Sequence, residues 1–593
     1  MSALAGMLRF GSEIINPALG EMAKTIKFAD GGIYSHGNIL LIGQYAEDGP
    51  VTLKAGGKEY AAVFAGRIFN REELYKELNI AKTTDARLAL YAYAAWGIKC
   101  FERFNGVFSF AAYEKSEKKL VLARDRAGAK PLFYYRDNNG LLFGSFVRTL
   151  LASGLVRREV DEYGLKQLLL LGPARPQGSG IIKGVEELKP AEYLVFENGT
   201  VKIDSYWKLE ARPHLMYFDK TVEYTRELTL DAIKIQLDDD TAPSCMLSGG
   251  LDSGIVTMAA AKYYKEQGTQ LRTYSVDYDG NDKYFEKNKF QPSLDKVYID
   301  IMREFAPGRH KTVMLGNDDV AKAVVDAAKA RDIPGMGDID SSLLLFCKEI
   351  KKTDNVCLSG ECADEVFAGY RWYHDEELLY KDTFPWSDAL GMRKRLFKGA
   401  DLDGGEDFVT ELYRNTVHLT DYLDTDTVTD RRIREMFVLN YYWFMQTLID
   451  RSDRMAFEAG LEVRVPFCDY RLVELAYNMP WKYKAAGGRE KGILREAFKD
   501  LLPAEIVFRK KNPFPKTFNP LYFERVTKHA EKLINDKTSV LYDLVDKEFF
   551  ADLKENRVSL ADPWFGQLMR IPQIFAYLIQ LDVFFREFGL NLV

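Results

Sequence analysis

Cysteine is scarce in this sequence, with six residues in 593, and no two of them form a CxxC pair or a Cys/His cluster. Cysteines scattered in this way argue against a structural zinc site and favour reduced, mostly buried thiols. No run reaches the roughly 18 apolar residues of a membrane-spanning helix. The amino terminus lacks the basic start and long apolar core of a secretory signal. We therefore expect a soluble, cytoplasmic protein without a membrane partner.

Excess positive charge is also absent, since 81 Lys and Arg face 87 Asp and Glu and the formal net charge is -6. General nucleic-acid binders are usually basic, so we expect no nucleic-acid partner. Hydrophobic residues at 47% and charged residues at 28% are ordinary globular values, which argues against disorder. A chain of 593 residues is too long for one ordinary core, so two or more domains are expected.

The first 208 residues are rich in short apolar runs between turn signals, and helical patterns are few. The predicted strands are 38–42, 60–64, 108–113, 119–123, 131–135, 141–143 and 192–197. Helices are predicted at 71–78 and 85–96. Many antiparallel strands with few helices predict an α+β layered domain over 1–208.

The pattern changes after Trp207, and strand-like runs then alternate with helical ones. The predicted strands are 245–247, 272–276, 312–315 and 356–358, and the predicted helices are 219–236, 254–267, 294–305, 319–331 and 341–350. Strands spaced by helices predict βαβ units and a parallel sheet. Residues 430–593 are mostly helical, and 436–448 is apolar on almost every side, as in a buried helix. We assign 209–593 to a second, α/β domain.

The motif that carries chemistry follows the first predicted strand of that domain. Residues 248–253 read Ser-Gly-Gly-Leu-Asp-Ser and lead into a predicted helix. Glycines there let backbone N–H groups approach phosphate oxygens, and the helix N-terminus adds its positive end. Ser248 and Ser253 can donate hydroxyl hydrogen bonds. Asp252 is an anion and cannot bind phosphate directly, but it can hold a Mg²⁺ that does.

No GKS or GKT follows this loop, so it is not a Walker A motif. Its six residues resemble the pyrophosphate loop of the N-type ATP pyrophosphatases, enzymes that adenylate a substrate and release pyrophosphate. The alternative is a generic strand-to-helix turn that contains glycines.

A second loop also follows a predicted strand and carries Ser359, Gly360, Glu361 and Asp364. The two acids are three residues apart and share one face if the turn is helical. Paired carboxylates beside a phosphate site suit a metal ligand and a general base. The same pattern by itself also fits a helix start with acids in its first turn.

Positive charge for a departing pyrophosphate must come from a lysine or arginine, and Lys491 is our candidate. The segment around it, 488–495, is an unremarkable charged helix start when read alone. Downstream, the basic run 509–511 adds positive charge before Pro513.

These three elements stand in the order found in the glutamine-hydrolysing asparagine synthetases. The sequence resembles that family over nearly its whole length, and it looks most like the synthetases of Gram-positive bacteria. The resemblance in the carboxyl half rests on 246–253, 273–278, 330–336, 340–347, 358–370, 453–455, 461–467 and 489–494. It implies an Ntn-type layered glutaminase-like domain, of class II amidotransferase type, followed by a PP-loop ATP pyrophosphatase domain.

The resemblance also implies a role for each motif residue, with ATP and Mg²⁺ as cofactors. Ser248, Gly249, Gly250 and Ser253 would cradle pyrophosphate, Asp252 and Asp364 would hold Mg²⁺, Met246 and Val276 would flank the adenine, and Ser359 and Gly360 would also touch the nucleotide. Glu361 would serve ammonia as base or orienter, and Lys491 would stabilise the adenylate and pyrophosphate. Ala368 departs from the family, which usually has glycine there; its methyl would tighten a turn.

The amino half resembles the family, but the residues of its glutaminase site are altered. Family members begin Met-Cys-Gly and use the cysteine to hydrolyse glutamine, whereas this chain has Ser2 and Ala3. A hydroxyl has a far higher pKa than a thiol. The arginines of the family are absent from 26–32 and 42–46, and the oxyanion-hole asparagine is Ala65. Losing one oxyanion donor costs about 10²–10³ in rate.

Asp85 survives where the family places an acid near the glutamine amine, but one anchor cannot rebuild a pocket. Arg67 and Arg87 stand where the family usually has an acid, so either would reverse a charge rather than conserve an anchor. Scaffold runs at 104–110, 123–126 and 130–132 persist. We therefore expect a glutaminase-like domain that folds and is inactive.

The expected function is ATP-dependent amide formation, from aspartate to asparagine through an aspartyl-adenylate, with release of AMP and pyrophosphate. The expected nitrogen source is ammonia rather than glutamine, supplied freely or by a separate glutaminase docked on the silent domain. The alternatives are amidation or cyclisation of another carboxylate, such as a cell-wall precursor, a peptide or a β-lactam-type product, and a non-catalytic regulatory homologue. The sequence leaves the oligomeric state open, a homodimer included.

Overall fold

The computed structural model describes residues 2–10, 16–238, 241–286, 293–558, 560 and 563–593. The chain divides into two compact units. The first comprises Met1–Leu165, Pro176–Lys208 and Phe588–Val593, and the second comprises Lys166–Arg175 and Leu209–Glu587. No helix of the described residues is long and apolar enough to cross a membrane.

The first unit is built on two antiparallel sheets. Its strands are β1 (Leu4–Arg9), β2 (Ile33–His36), β3 (Ile39–Gly43), β4 (Val51–Ala55), β5 (Lys58–Ile68), β6 (Gly106–Glu114), β7 (Lys119–Arg124), β8 (Phe133–Asp137), β9 (Gly140–Gly144), β10 (Glu159–Val160), β11 (Val185–Glu187), β12 (Glu192–Glu197) and β13 (Thr200–Ser205). One sheet runs β11-β8-β9-β1-β3-β2 and the other β13-β12-β7-β6-β5-β4.

Successive side chains along the strands point to opposite faces of the sheet, and this alternation forms the layers of the unit. On β5, Val63 and Ala65 join a core cluster with Leu4 of β1, while Phe64 faces a second cluster on the opposite side of its sheet. The helices are α1 (Asn16–Thr25), α2 (Arg71–Leu78), α3 (Asp85–Trp96), α4 (Cys100–Arg103), α5 (Val147–Ala152) and α6 (Glu162–Lys166). Helices α2 and α3 cover the second cluster, which includes Leu88. The predicted layered α+β sandwich is confirmed.

The second unit is organised by a parallel sheet. Its strands are β14 (Ser244–Met246), β15 (Arg272–Tyr278), β16 (Arg309–Leu315), β17 (Val356–Leu358) and β18 (Glu462–Arg464), in the order β16-β15-β14-β17-β18. Chain order therefore reverses between β14 and β17. In open parallel sheets, ligands bind at the carboxyl ends of the strands where the order reverses. The predicted parallel sheet is confirmed.

Helices surround this sheet and fill the rest of the unit. They are α7 (Phe218–Leu237), α8 (Leu251–Glu266), α9 (Asn281–Tyr284), α10 (Lys296–Phe305), α11 (Asn317–Arg331), α12 (Asp338–Lys351), α13 (Ala363–Val366), α14 (Arg371–His374), α15 (Glu376–Leu379), α16 (Leu390–Leu396), α17 (Gly405–Val417), α18 (Val428–Leu439), α19 (Met445–Ala459), α20 (Tyr470–Asn478), α21 (Trp481–Lys484), α22 (Gly492–Phe498), α23 (Ala504–Val507), α24 (Pro520–Ile534), α25 (Leu541–Leu544), α26 (Lys547–Lys554) and α27 (Ile571–Phe588). The last strand, β19 (Asn591–Leu592), belongs to the first unit, where it pairs in parallel with β10.

The buried helix predicted over 436–448 is present, but it is not a single α-helix. Residues Asn440–Phe444 form a π-type turn that joins α18 to α19. Such turns shift the register of a helix and are frequent at functional sites. Met436 and Met445 on either side are fully buried. Phe444, at the end of the turn, lies on the wall of the cavity described below.

Strand β18 was not predicted, because its Glu-Val-Arg sequence carries two charges in three residues. The structure shows why these charges are tolerated in a sheet. Glu462 and Arg464 lie two residues apart, hence on one face of the strand, and their side chains form an ion pair at 2.6 Å. Arg464 also donates to the carbonyl oxygen of Gln236. The ion pair and the hydrogen bond of Arg464, which exist only in the folded chain, thus stabilise a strand of unfavourable composition.

Candidate active site

A cavity of about 210 Å³ opens at the carboxyl ends of β14, β15 and β17, where the strand order reverses. Met246 and Val276 line it from the ends of the first two strands, and Ser359 and Gly360 line it from the loop after the third. All four are among the residues that the family resemblance assigns to nucleotide binding. The structure brings them together around one cavity.

The loop after β14 is held in a tight turn by its own serines. The hydroxyls of Ser248 and Ser253 lie 2.9 Å apart, and the Ser248 backbone N–H donates to the Ser253 hydroxyl. Gly249 has φ +70°, and a Cβ there would lie 2.7 Å from the backbone nitrogen of Ile299. Only glycine fits this position. No described side chain caps the N-terminus of α8, so its first N–H groups stay available to an anion.

The loop after β17 packs directly against the first loop. A Cβ on Gly360 would lie 2.8 Å from the backbone nitrogen of Ser253, so a side chain at this position would separate the two loops. Cys362 then adopts φ +74° ahead of the short helix α13. The turn brings Asp364 close to Asp252, on the first turn of α8. Two loops that are distant in sequence thus form one acidic pair.

A buried lysine bridges the two aspartates. The Lys491 ammonium lies 2.6 Å from Asp252 Oδ2 and 2.7 Å from Asp364 Oδ1. Burial would lower the pKa of Lys491, but both carboxylates outweigh burial and raise it above its ordinary value. Burial raises the pKa of Asp252. Burial also opposes ionisation of Asp364, but Lys491 and Lys511 outweigh it and hold the pKa of that carboxyl below its usual range.

The same aspartates fit a magnesium ion. Oδ1 of Asp252 is buried and accepts no hydrogen bond from the described residues. A buried oxygen of this kind is costly unless a cation or donor completes it. The described residues contain no group of three or more His, Cys, Asp or Glu side chains that could hold a metal alone. Mg²⁺ is commonly bound by one or two carboxylates with phosphates and water, which matches Asp252 and Asp364.

Glu361 lines the cavity and forms an ion pair with Arg451 of α19. The arginine holds the carboxylate in one orientation. Sequence reasoning missed Arg451, since it lies 90 residues from Glu361 and belongs to no recognisable motif. The buried helix on which it stands was predicted only as far as residue 448.

The basic run 509–511 lies at the site, and two of its members have defined partners. Lys511 pairs with Asp364 Oδ2 and lines the cavity. Arg509 pairs with Asp295 and donates to the carbonyl oxygen of Ser248 at 3.1 Å. Asp295 was not singled out from the sequence. The described residues that line the cavity include Lys511 but not Lys491, which is almost fully buried.

Ala368 closes the turn after α13 with φ +57°, in the left-handed region that favours glycine. Its carbonyl oxygen accepts a hydrogen bond from the His374 ring at 2.8 Å. The next residue, Gly369, has no room for a side chain, because a Cβ would lie 1.9 Å from Asp364 Oδ1. The methyl of Ala368 therefore costs backbone strain but leaves the acidic pair in place.

The first unit holds the residues predicted to remain of a glutaminase site. The Gly66 backbone N–H donates to the Ser2 hydroxyl at 2.8 Å, and Ala65 is fully buried and offers no side-chain donor. Asp85 lies 3.7 Å from Arg67 and 3.8 Å from Arg71. We call Ser2, Asp48, Gly66, Arg67, Arg71 and Asp85 the Ser2 site.

Asp48 completes the Ser2 site as a nearly buried acid. Burial raises the pKa of its carboxyl to about 7, although hydrogen bonds from the Tyr45 N–H and the Ser2 hydroxyl favour the charged form. The other arginine considered from the sequence, Arg87, is exposed. Of the two, Arg67 is the one that stands beside Asp85.

A pyrophosphate-type loop, an acidic pair and a parallel sheet with reversed strand order define an ATP pyrophosphatase unit. The same chain carries a layered, amidotransferase-like unit. Comparisons with known proteins agree: residues 224–580 match the asparagine synthase family and residues 30–207 match the glutamine amidotransferase domain.

Two synthetases of Bacillus subtilis strain 168 are similar to this chain over most of its length. Asparagine synthetase (glutamine-hydrolyzing) 3 is 39% identical over 572 residues, which cover 94% of this chain and 92% of that one. Asparagine synthetase (glutamine-hydrolyzing) 1 is 24% identical, with 86% and 84% covered. The chain belongs to the asparagine synthase family, and it is an ATP-dependent ligase that forms amide bonds with release of AMP and pyrophosphate.

Proposed function

We propose that this protein converts aspartate to asparagine through an aspartyl-adenylate, with ammonia as its nitrogen source. The observation that carries the proposal is the meeting of the two loops at the strand-order reversal. There the free N–H groups of α8, the acidic pair and Glu361 border one cavity. The two similar synthetases are named for asparagine, the amide of aspartate, which supports aspartate as the acceptor.

The first step is transfer of the adenylyl group to the acceptor. A carboxylate oxygen of the acceptor bonds to the α-phosphorus of ATP, and the bond from that phosphorus to the β-phosphate oxygen breaks. The N–H groups at the start of α8 and the hydroxyls of Ser248 and Ser253 hold the pyrophosphate. Asp252 and Asp364 would hold Mg²⁺, which when bound neutralises phosphate charge. Lys491 contacts both acids and holds them close together.

The second step is attack of ammonia on the adenylate. Glu361 accepts a hydrogen bond from the incoming nitrogen and takes the proton that it loses when the C–N bond forms. AMP then leaves with the electrons of the broken acyl–oxygen bond. Arg451 holds the Glu361 carboxylate for this task. A residue that acts through Glu361 in this way is a positioning residue.

The Ser2 site supports ammonia rather than glutamine. A glutaminase needs a nucleophile, a free oxyanion donor and charged anchors for the amino acid. Here the Gly66 N–H already bonds the Ser2 hydroxyl, and Asp85 faces two arginines. We propose that this unit has no glutaminase activity and serves as a scaffold, whereas the two similar synthetases bear names that state glutamine hydrolysis.

The test is exchange of labelled pyrophosphate into ATP with a panel of carboxylates, followed by product analysis with ammonium or glutamine. Aspartate should support exchange, and asparagine should form with ammonium. Exchange supported by another carboxylate and not by aspartate would assign the protein to amidation of that acceptor. If none of the carboxylates supports exchange although the protein is folded, the assignment of the cavity to a ligase reaction is wrong.

A further inference from the structure

Two cysteines from distant parts of the chain bring their thiols together beside the cavity. Cys362 follows Glu361 in the loop after β17 and lines the cavity. Cys468 ends the short turn Pro466–Cys468 that follows β18. The two side chains are hydrogen-bonded to each other, and both residues are present as thiols. Neither cysteine has a part in the proposed reaction.

The segments that carry the two thiols are fastened to each other on both sides of this contact. Before Cys362, the Ser359 backbone N–H donates to the carbonyl oxygen of Arg464 at 2.8 Å. After it, the rings of Phe367 and Phe467 pack edge to face, with their centres 6.3 Å apart. The fold therefore holds the two sulfur atoms next to each other. An S–S bond of about 2.05 Å needs only a short further approach.

Cys362 stands where the backbone favours glycine. Its φ of +74° lies in the left-handed region, which residues with a side chain adopt at a cost. Glycine would relieve this cost, yet a side chain occupies the position and its sulfur contacts Cys468. Strained positions of this kind cluster at functional sites. The strain indicates that the side chain itself has a use at this point of the loop.

The two thiols differ from the other four in exposure and in position. Cys468 keeps 7% of its surface exposed and Cys362 keeps 2%, and Cys362 also borders the cavity. The other four cysteines are fully buried, and none of them is among the described residues that line the cavity. They are Cys100, Cys245, Cys347 and Cys357. Burial keeps a thiol away from oxidants and disfavours the reactive thiolate, so we expect oxidation to begin at Cys468.

We propose that Cys362 and Cys468 form a reversible disulfide when the protein meets a hydroperoxide, and that this bond turns the synthetase site off. The inference goes beyond the proposed function and depends on no particular acceptor. It assigns a modification site to two residues that the amide-forming reaction does not use.

The chemistry balances with hydrogen peroxide as the oxidant. The Cys468 sulfur attacks one peroxide oxygen, so that an S–O bond forms, the O–O bond breaks, and the departing oxygen leaves as water with the thiol proton. The Cys362 sulfur then attacks the Cys468 sulfur. The S–S bond forms, the S–O bond breaks, and a second water leaves with the Cys362 proton. Both thiols are oxidised and one peroxide is reduced to two waters, and a dithiol reverses the bond by exchange.

The bond would act on the synthetase site through the loop that carries Cys362. This residue lies between Glu361, which pairs with Arg451, and Asp364, one of the proposed metal ligands. Drawing the Cys362 sulfur to bonding distance pulls on the backbone between the two acids. A misplacement of about 1 Å can cost about 10²-fold in rate. The disulfide is therefore expected to stop the reaction while the unit stays folded.

The test treats the full-length protein with hydrogen peroxide, alkylates the remaining thiols and maps the unreduced peptides by mass spectrometry. We expect a peptide pair that joins Cys362 to Cys468 and is lighter than the two thiol peptides by two hydrogens. Pyrophosphate exchange, measured with an acceptor that supports it, should fall at least about tenfold as the pair forms. Dithiothreitol should restore it, because exchange with a dithiol reopens the bond.

Cys468→Ala removes the partner thiol and leaves every residue of the cavity wall in place. It should show normal exchange in reducing buffer, form no cross-link, and keep its exchange through the peroxide treatment. Cys100→Ala, which replaces a fully buried cysteine of the first unit, is the matched control and should lose exchange to peroxide as the wild type does. Should Cys468→Ala fail to fold, Cys468→Ser takes its place with the same expectations.

Two results would overturn the inference directly. One is a folded, peroxide-treated protein without a bond between Cys362 and Cys468, and the other is a cross-linked protein with full exchange. Equal loss of exchange in Cys468→Ala and in the wild type would assign the loss to another oxidised residue, and the inference would be wrong. Mass spectrometry detects the bond without any acceptor. A failure of aspartate to support exchange therefore contradicts the proposed function and leaves the disulfide as it is.

Discussion

The two units contain two sites whose polar groups are used in opposite ways. At the Ser2 site, the Gly66 N–H donates to the Ser2 hydroxyl, and Asp85 faces two arginines. At the cavity of the second unit, the N–H groups of α8 are uncapped by any described side chain and an oxygen of Asp252 lacks a hydrogen-bond donor among the described residues. The N–H donor of the first site is thus used inside the protein, whereas the N–H groups of the second are left for a ligand.

The comparison separates what maintains a fold from what maintains an activity. The core clusters of the first unit consist of apolar residues on both faces of its second sheet, such as Val63 and Phe64. These residues hold the layers together whatever the chemistry at Ser2. Catalytic groups are few and polar, and their loss costs the core nothing. A layered amidotransferase-like unit can therefore outlast its hydrolase chemistry.

The largest effect is expected at the cavity of the second unit. Asp252→Asn should lower pyrophosphate exchange about 10³-fold, because it removes the charge of one proposed metal ligand worth several kcal/mol beside a triphosphate. Exchange is measured with aspartate, ATP and labelled pyrophosphate, and folding is followed by circular dichroism. Asp407→Asn, an exposed acid of α17, is the control. If exchange survives in Asp252→Asn, Asp252 is not a required metal ligand, and the two units differ less than we propose.

The next effect concerns the nitrogen source. Asparagine should form from ammonium salts, while glutamine should yield little glutamate. Ser2→Cys alone should restore almost no hydrolysis, since the stretches 26–32 and 42–46 still lack the arginines that would bind the glutamine carboxylate and a desolvated charge would stay unpaired. Chromatography of glutamate and asparagine checks both statements. Glutamate release at a rate near that of asparagine formation would show that the Ser2 site still works.

Asp48 in the Ser2 site should make the stability of the protein depend on pH. Burial raises the pKa of this carboxyl to about 7, well above the roughly 3.9 of an unfolded aspartate. Between about pH 4 and 7 the folded state binds more protons, so stability falls as pH rises through that window. The loss is at most about 4 kcal/mol. Asp48→Asn should flatten this slope.

The slope is measured by calorimetric melting of the full chain at several pH values between 5 and 8. Asp204→Asn, on the exposed strand β13, should leave the slope as it is. An unchanged slope in Asp48→Asn would mean that Asp48 ionises normally and that its environment is wetter than its burial indicates.

The smallest effect is expected at Ala368. Its φ of +57° places it in a region that costs a residue with a side chain roughly 1–2 kcal/mol. Ala368→Gly removes that strain but adds freedom to the unfolded chain, so a net gain below about 1 kcal/mol is expected. The melting temperature should rise by about 1–2 °C, with pyrophosphate exchange unchanged. A lower melting temperature would show that the Ala368 methyl packs favourably against its neighbours and that this packing outweighs the backbone strain.

The elements that the sequence predicted well are those with a strong local pattern. The helices at 71–78 and 85–96 agree with α2 and α3 at both ends, because capping and turn residues bound each of them. The glycine loops and the acids after β14 and β17 were predicted as parts of one site, since strand ends in a parallel sheet meet at one edge. Strand β18 was missed, because its ion pair exists only once the sheet has formed.

Local sequence thus determined where the glycine loop and the predicted strands and helices lie, because glycine geometry, helix starts and apolar alternation act over a few residues. Tertiary structure decided which charges meet. Arg451 reaches Glu361 across 90 residues, and Lys491 and Lys511 share Asp364. No spacing rule encodes these pairs, because they depend on how distant helices pack.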